Sequence, residues 1–232
     1  MKAQLSNLFT KMVHHILTKI NPIMVKILNL DIEREYYSTL YFGKTGASVP
    51  VEYQKQGFTY IFYRYNTPED WLGGFVVNSI PTFRYLMNFE SQFCQSLFNK
   101  YNITQHDLCE VGCLWMHARR SFKERLWMYS ILMIKAYQTG KGTLLAGSFE
   151  PGLAGIQRKV FRTTIFEGPI NIQGKQGNLE MYIVKRSDLI RNGLVTIWEA
   201  LVNSKANKNK PRPSKQMRLP VPPEPTDLPK AA

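Results

Sequence analysis

The chain has 232 residues, 44% apolar and 20% charged, enough for one medium domain with a sizeable core and extensions at its ends. Its formal net charge of +13 points to acidic partners such as nucleic acid, anionic lipid, a phosphorylated co-substrate or an acidic carrier protein. Three cysteines form no disulfide framework and fit a reducing, cytoplasmic compartment, and no run of about 18 apolar residues offers a membrane-spanning helix.

Residues 1–30 contain no Asp or Glu but carry Lys2, Lys11, Lys19 and Lys26. Apolar residues from Leu5 to Ile20 recur at spacings of three and four, and a second apolar run follows Asn21-Pro22. This reads as a basic amphipathic helical extension, packed on the domain or able to lie on an anionic membrane surface. Asp31–Thr39 reads as a short helix, loosened afterwards by Gly43, Gly46 and Pro50. The stretch "FTYIFYRY" (58–65) is aromatic and β-branched, hence a strand, joined through a turn at "NTPEDW" to a second strand, "WLGGFVVNS".

Residues 81–101 read as loop and then helix, and Cys109–His117 as a third strand. Phe122–Tyr137 is the strongest helix, with Leu126, Trp127, Ser130, Ile131, Ile134 and Tyr137 along one face and Gly140 and Gly142 ending it. "TLLAGS" follows as a strand, then a short helix opened by Pro151, then two closing strands, "TTIFEGPI" and "LEMYIVKR". From Ser204 onward lie seven of the thirteen prolines and seven Lys or Arg opposed only by Glu224 and Asp227, a disordered basic tail. The organisation is therefore an extension over 1–30, a domain over 31–203 and a tail over 204–232. The fold class is α+β (α/β): one mixed, mostly antiparallel sheet flanked by helices, with a strand–helix–strand unit in its middle.

Within "HDLCEVGCLWMHARRSF", His106, Cys109, Cys113 and His117 resemble a metal set. Zinc needs ligands converging within about 2.0–2.3 Å. On a strand, Cys109 to His117 would span about 26 Å, and on a helix the whole set about 16 Å. No metal site is expected. Alternation puts Cys109, Val111, Cys113, Trp115 and His117 on one face, and Glu110, Gly112, Leu114 and Met116 on the other. A carboxylate on such an apolar strand must be paired, capping or chemical. The basic run Arg119, Arg120, Lys123 and Arg125 then opens a helix whose N-terminus ordinarily prefers acids, which suggests an external anion there.

A strand bearing Glu, an anion-binding turn, a long helix, a strand, a short helix and a closing strand pair resemble the GNAT superfamily of N-acyltransferases over Asp31 to Trp198. "EVGCLWMHARRSFKERLWMYSILMIKAY" is similar to the family's fourth strand and third helix, and "TLLAGSFEPGLAGIQRKVFRTTIFEGPI" to its fifth strand, fourth helix and sixth strand. The resemblance implies acyl transfer from a thioester to a small amine acceptor, with acyl-CoA or acyl carrier protein as co-substrate and no tightly bound cofactor. Backbone groups around Leu114, Met116 and Ala118 would hold the pantetheine arm, and Arg119, Arg120, Lys123 and Arg125 its phosphate. Glu110 would be the general base.

The family's tyrosine acid has no match in Glu150–Phe161, and Tyr182 is the substitute on the last strand. The family's Gln/Arg-x-x-Gly-x-Gly/Ala loop is here "ARRSFKERL", without glycine, a departure shared with members that resemble acyl-homoserine-lactone synthases and N-acyl amino acid synthases. With the basic surface, the aromatic strand "FTYIFYRY" would suit a fatty acyl donor. The alternative is a non-catalytic basic module contacting nucleic acid or an anionic membrane surface.

Overall fold

The computed structural model describes residues 21–118 and 120–208. The first twenty residues, Arg119 and residues 209–232 lie outside them, and with them most of the expected N-terminal helix and of the tail. Contacts divide the chain into Met1–Ile197 and Trp198–Ala232; of the second unit only the end of the last helix is described.

Seven strands form one sheet: β1 (Ile23–Ile27), β2 (Phe58–Arg64), β3 (Thr67–Asn78), β4 (Leu108–Met116), β5 (Thr143–Ser148), β6 (Thr163–Ile172) and β7 (Lys175–Lys185). Their order is β1-β2-β3-β4-β5-β7-β6, and every pairing is antiparallel except β4 with β5. The helices are α1 (Asp31–Thr45), α2 (Val51–Gln56), α3 (Ser91–Tyr101), α4 (Phe122–Gln138), α5 (Pro151–Phe161) and α6 (Arg186–Lys208).

Three apolar clusters hold the layers together. On one face, Met128, Leu132 and Ala136 of α4 and Val160 and Phe161 of α5 cover Phe62, Phe75, Cys109, Val111, Ala146 and Tyr182. On the other face, Tyr37 and Tyr41 of α1 and Tyr53 of α2 cover Ile61, Val76 and Trp115. Farther along that face, Phe83, Tyr85 and Leu86 cover Leu108, Leu145, Met181 and Ile183.

Several expectations are corrected. Residues 23–27, placed in the helical extension, are an edge strand paired with β2, so the sheet begins before residue 31. The first helix runs on to Thr45: Gly43 is tolerated inside it, and Gly46, in the left-handed region (φ 72°), ends it. The turn between β2 and β3 is tighter than "NTPEDW", since Arg64 already pairs with Thr67. The short α2 is not expected from the sequence, because six residues carry no usable periodicity. The last helix is not expected from the sequence and reaches Lys208, so it takes in the first five residues of the stretch assigned to the tail.

On the face of α4 that runs from Leu126 to Tyr137, Trp127 is 51% and Ile134 43% exposed and Ile131 packs on the core, whereas Met128, Leu132 and Ala136 beside it are buried. The helix is apolar on both sides, so periodicity alone does not choose between stripes about 100° apart. The aromatic strand contributes to the core. Tyr60, Ile61 and Phe62 are buried, and Tyr60 and Phe62 pack their rings against Phe75 at 4.9 and 5.5 Å.

Candidate active site

The centre of the site is set by an irregularity in β4. Gly74 of β3 pairs with Trp115 and Val76 with Gly112, so two steps on β3 face three on β4. The extra residue is Cys113, whose φ of 53° lies in the left-handed region. This is a β-bulge, and it reverses the side-chain alternation beyond it. Simple alternation had placed Cys109, Cys113 and Trp115 together. Instead Cys109 and Val111 face α4, whereas Cys113 and Trp115 face α1 and α2. Leu114 and Met116 are half-buried and pack on the α4 side, opposite to Glu110. The carbonyl of Cys113, turned out by the bulge, accepts a hydrogen bond of 2.5 Å from the Tyr37 hydroxyl.

The same strand parts from its neighbour here. Parallel pairing with β5 covers only Leu108–Val111 against Thr143–Ala146. Beyond that β4 continues to Met116 paired with β3 only, while β5 runs on to Ser148 paired with β7. Glu110 sits just before this splay, fully buried. Its Oε1 accepts from the Tyr53 hydroxyl, and its Oε2 accepts from the Tyr85 amide at 3.0 Å. Burial pushes the Glu110 carboxyl above the usual carboxylate range; the Tyr53 hydroxyl, the Tyr85 amide and the Arg84 charge pull it down without cancelling that. Tyr85 reaches across the splay and donates its hydroxyl to the Gly147 carbonyl at 2.7 Å. One wall beside the carboxylate has no side chain: a Cβ on Gly112 would stand 3.5 Å from Glu110 Oε1 and 3.8 Å from the Tyr53 hydroxyl.

Arg120, Lys123 and Arg125 gather at the start of α4. Ala118 is exposed in the turn before it, and Arg119 lies outside the described residues. The helix supplies its own cap. Ser121 Oγ accepts from the Glu124 amide at 3.2 Å, and Glu124 Oε2 accepts from the Ser121 amide at 2.8 Å. Glu124 also pairs with Arg64 on β2. The Ser121 amide and the nearby charges of Arg64 and Arg120 hold its carboxyl below its ordinary range despite partial burial. That linkage contributes stability above the unfolded carboxylate range and is lost as pH falls through the lowered folded value. Ser121→Ala should cost about 0.5–2 kcal/mol, read as a lower Tm in thermal unfolding. The cations Lys123 and Arg125 are exposed, and Arg120 is half-buried with its Nε buried and unpartnered. A phosphate-bearing donor would meet these groups and the first-turn amides of Phe122 and Lys123, which the cap does not use.

Tyr182 does not join Glu110. It pairs with Ala146, whose side chain lies on the α4 face with Val111. Its hydroxyl donates to Glu180 and lies 3.4 Å from the Ala154 carbonyl. Burial and the Glu180 carboxylate push it up to about 12. The residues that do surround Glu110, namely Tyr53, Arg84 and Tyr85, were not foreseen. Tyr53 is on the unread α2, and Arg84-Tyr85 lies in a loop whose sequence has no motif.

Among solved structures, this chain is similar to FeeM, an N-acyl amino acid synthase from uncultured soil microbes, at a TM-score of 0.54 and 11% identity over 76% of this chain and 98% of that one. It also aligns with the AHL synthase LasI (TM-score 0.47, 10% identity, 72% and 91% of the two chains). An N-acetyltransferase from Staphylococcus aureus Mu50 aligns at a TM-score of 0.46 and 13% identity over 71% and 99%. No protein-family model matches the sequence, and no curated protein does.

Proposed function

On the GNAT fold that this chain shares with FeeM, we propose that it is an N-acyltransferase, moving an acyl group from a thioester donor, acyl-CoA or acyl carrier protein, to an amine. The observation that carries this reading is Glu110, a buried carboxylate of raised pKa placed where β4 and β5 separate. An ammonium acceptor must lose a proton before its nitrogen can attack a thioester carbonyl. A carboxylate held above the usual range is matched to that transfer.

The amine nitrogen forms the new bond to the acyl carbon, the C–S bond breaks, and the second proton lost by the nitrogen goes to the departing sulfur, so the donor leaves as a free thiol. Arg120, Lys123 and Arg125 would hold the donor's phosphate by charge, with the α4 amides in place of a glycine-rich loop. Tyr182 lies on the other face of the sheet from Glu110, so the expected acid role is not proposed for it. The alternative of a basic binding module finds no support at this centre, which is a buried acid.

The donor site is tested by replacing Arg120, Lys123 and Arg125 together by Gln. Titration with a panel of acyl-CoA thioesters and acyl carrier protein should show Kd weakened by about tenfold or more, as for losing charge-assisted contacts. The wild-type affinity should also fall with added salt. Unchanged affinity in the triple variant would remove the cationic turn from the donor site.

A further inference from the structure

The peptide that donates to Glu110 is itself held by a buried arginine. Arg84 is 2% exposed, an expensive place for a guanidinium. Its Nε donates to Gln173 Oε1 at 2.5 Å and its Nη2 to the Ser48 carbonyl at 2.9 Å, and its guanidinium lies 5.7 Å from the Tyr41 ring centroid. Its own carbonyl accepts from Asn88 Nδ2 at 2.9 Å. The next amide, that of Tyr85, is the one that donates to Glu110 Oε2.

Gln173 occupies the two-residue turn between β6 and β7, in the left-handed region (φ 48°) and followed by Gly174 (φ 89°). Its carbonyl accepts from the Ser48 amide at 3.3 Å and hydroxyl at 3.2 Å. This turn belongs to the half of the sheet beyond the splay, whereas Ser48 belongs to the connection between α1 and α2 over the other half. Arg84, Gln173 and Ser48 therefore tie the two halves together beside the carboxylate.

We infer that Arg84 is the positioning residue of Glu110, fixing the Tyr85 amide on its carboxylate, and that Gln173 anchors Arg84 from across the splay. The inference builds on the reading of Glu110 as the base. A guanidinium used only to fill space would be replaceable by an apolar side chain of similar volume. Here its fork joins two chain segments, and its charge favours the ionised Glu110 carboxylate. The ionisable groups around Glu110 are Tyr53 from α2, Arg84 and Tyr85 from the loop, and Cys109 and Cys113 from its own strand. Arg84 supplies the positive charge among them.

The test uses the full chain labelled with ¹³C at glutamate side chains, with the Glu110 signal identified by its loss in Glu110→Gln. In Arg84→Met the Glu110 titration midpoint should move upward, because a charge that favours the carboxylate is gone. Exchange of the Tyr85 amide should accelerate by about tenfold or more, the factor for losing one hydrogen bond to a charged group. Arg84→Lys keeps the charge and should restore most of the midpoint, but not the amide protection. Gln173→Ala should move both readouts in the directions seen for Arg84→Met, and by less.

A lower Tm with midpoint and Tyr85 exchange both unchanged would overturn the inference and leave Arg84 as packing. If Arg84→Met does not fold, Gln173→Ala decides by the same criterion. Should both readouts move as expected while the wild type transfers no acyl group from any thioester tested, positioning stands and the base reading fails.

Discussion

Glu110→Gln is expected to lower acyl transfer by about 10²–10⁴-fold, the range for removing a positioned general base, while leaving the protein folded. Glutamine keeps the shape of the side chain and can still accept from the Tyr85 amide and share a hydrogen bond with Tyr53. What it loses is the ability to take a proton. The pH dependence separates this from damage to the site. Burial raises the Glu110 pKa, so the base is ionised only above the usual carboxylate range. Wild-type turnover should fall as pH drops through that raised value, and the residual rate of Glu110→Gln should lack that acid limb.

Stability has the opposite sign. A carboxyl whose folded pKa lies above its unfolded one contributes stability at low pH, and that contribution is lost as pH rises through the folded value. Chemical denaturation of the variant should therefore lack the decline that the wild type shows over this interval. A Glu110→Gln enzyme as active as the wild type at every pH would end the assignment.

From β2 to β7 the order of elements was legible in the sequence, because period-two aromatic runs, the apolar stripes of the long helices and glycine or proline punctuation all register locally. Glu110 was legible too, since a carboxylate amid apolar strand residues needs a reason. What surrounds it was not. Tyr53, Arg84 and Tyr85 come from segments far apart in sequence, and each looks ordinary in its own neighbourhood. The outer stripe of α4 shows a second limit, for Trp127 and Ile134 are as apolar as a core stripe, and only the sheet decides which face is buried. Tyr182 shows a third. Its alternation along β7 was readable, but its face relative to Glu110 depends on the β4–β5–β7 register, which no single strand contains.

The bulge at Cys113 was likewise hidden, and it leads to a large expected stability effect. Gly74→Ala should destabilise the fold by about 1–3 kcal/mol or more, measured by chemical denaturation. A Cβ on Gly74 would lie 2.6 Å from the ring of Tyr37 and 2.7 Å from the Tyr60 carbonyl oxygen, well inside contact distance. Tyr37 cannot simply swing away, because it is fully buried and its hydroxyl satisfies the carbonyl that the bulge turns out of the ladder. Moving the ring would strand that carbonyl in an apolar layer, at a further cost of about 1–3 kcal/mol.

Gly74, Tyr37 and Cys113 thus act as one device: the missing side chain admits the ring, the ring caps the bulge, and the bulge turns Cys113 and Trp115 onto the face that Glu110 occupies. The device is tested by coupling. In a Tyr37→Leu background the ring clash is gone while the Tyr60 carbonyl remains, so Gly74→Ala should cost measurably less than in the wild type, though not nothing. Equal costs in the two backgrounds would show that the ring and the glycine are independent, and that the bulge is held by the strand backbone alone.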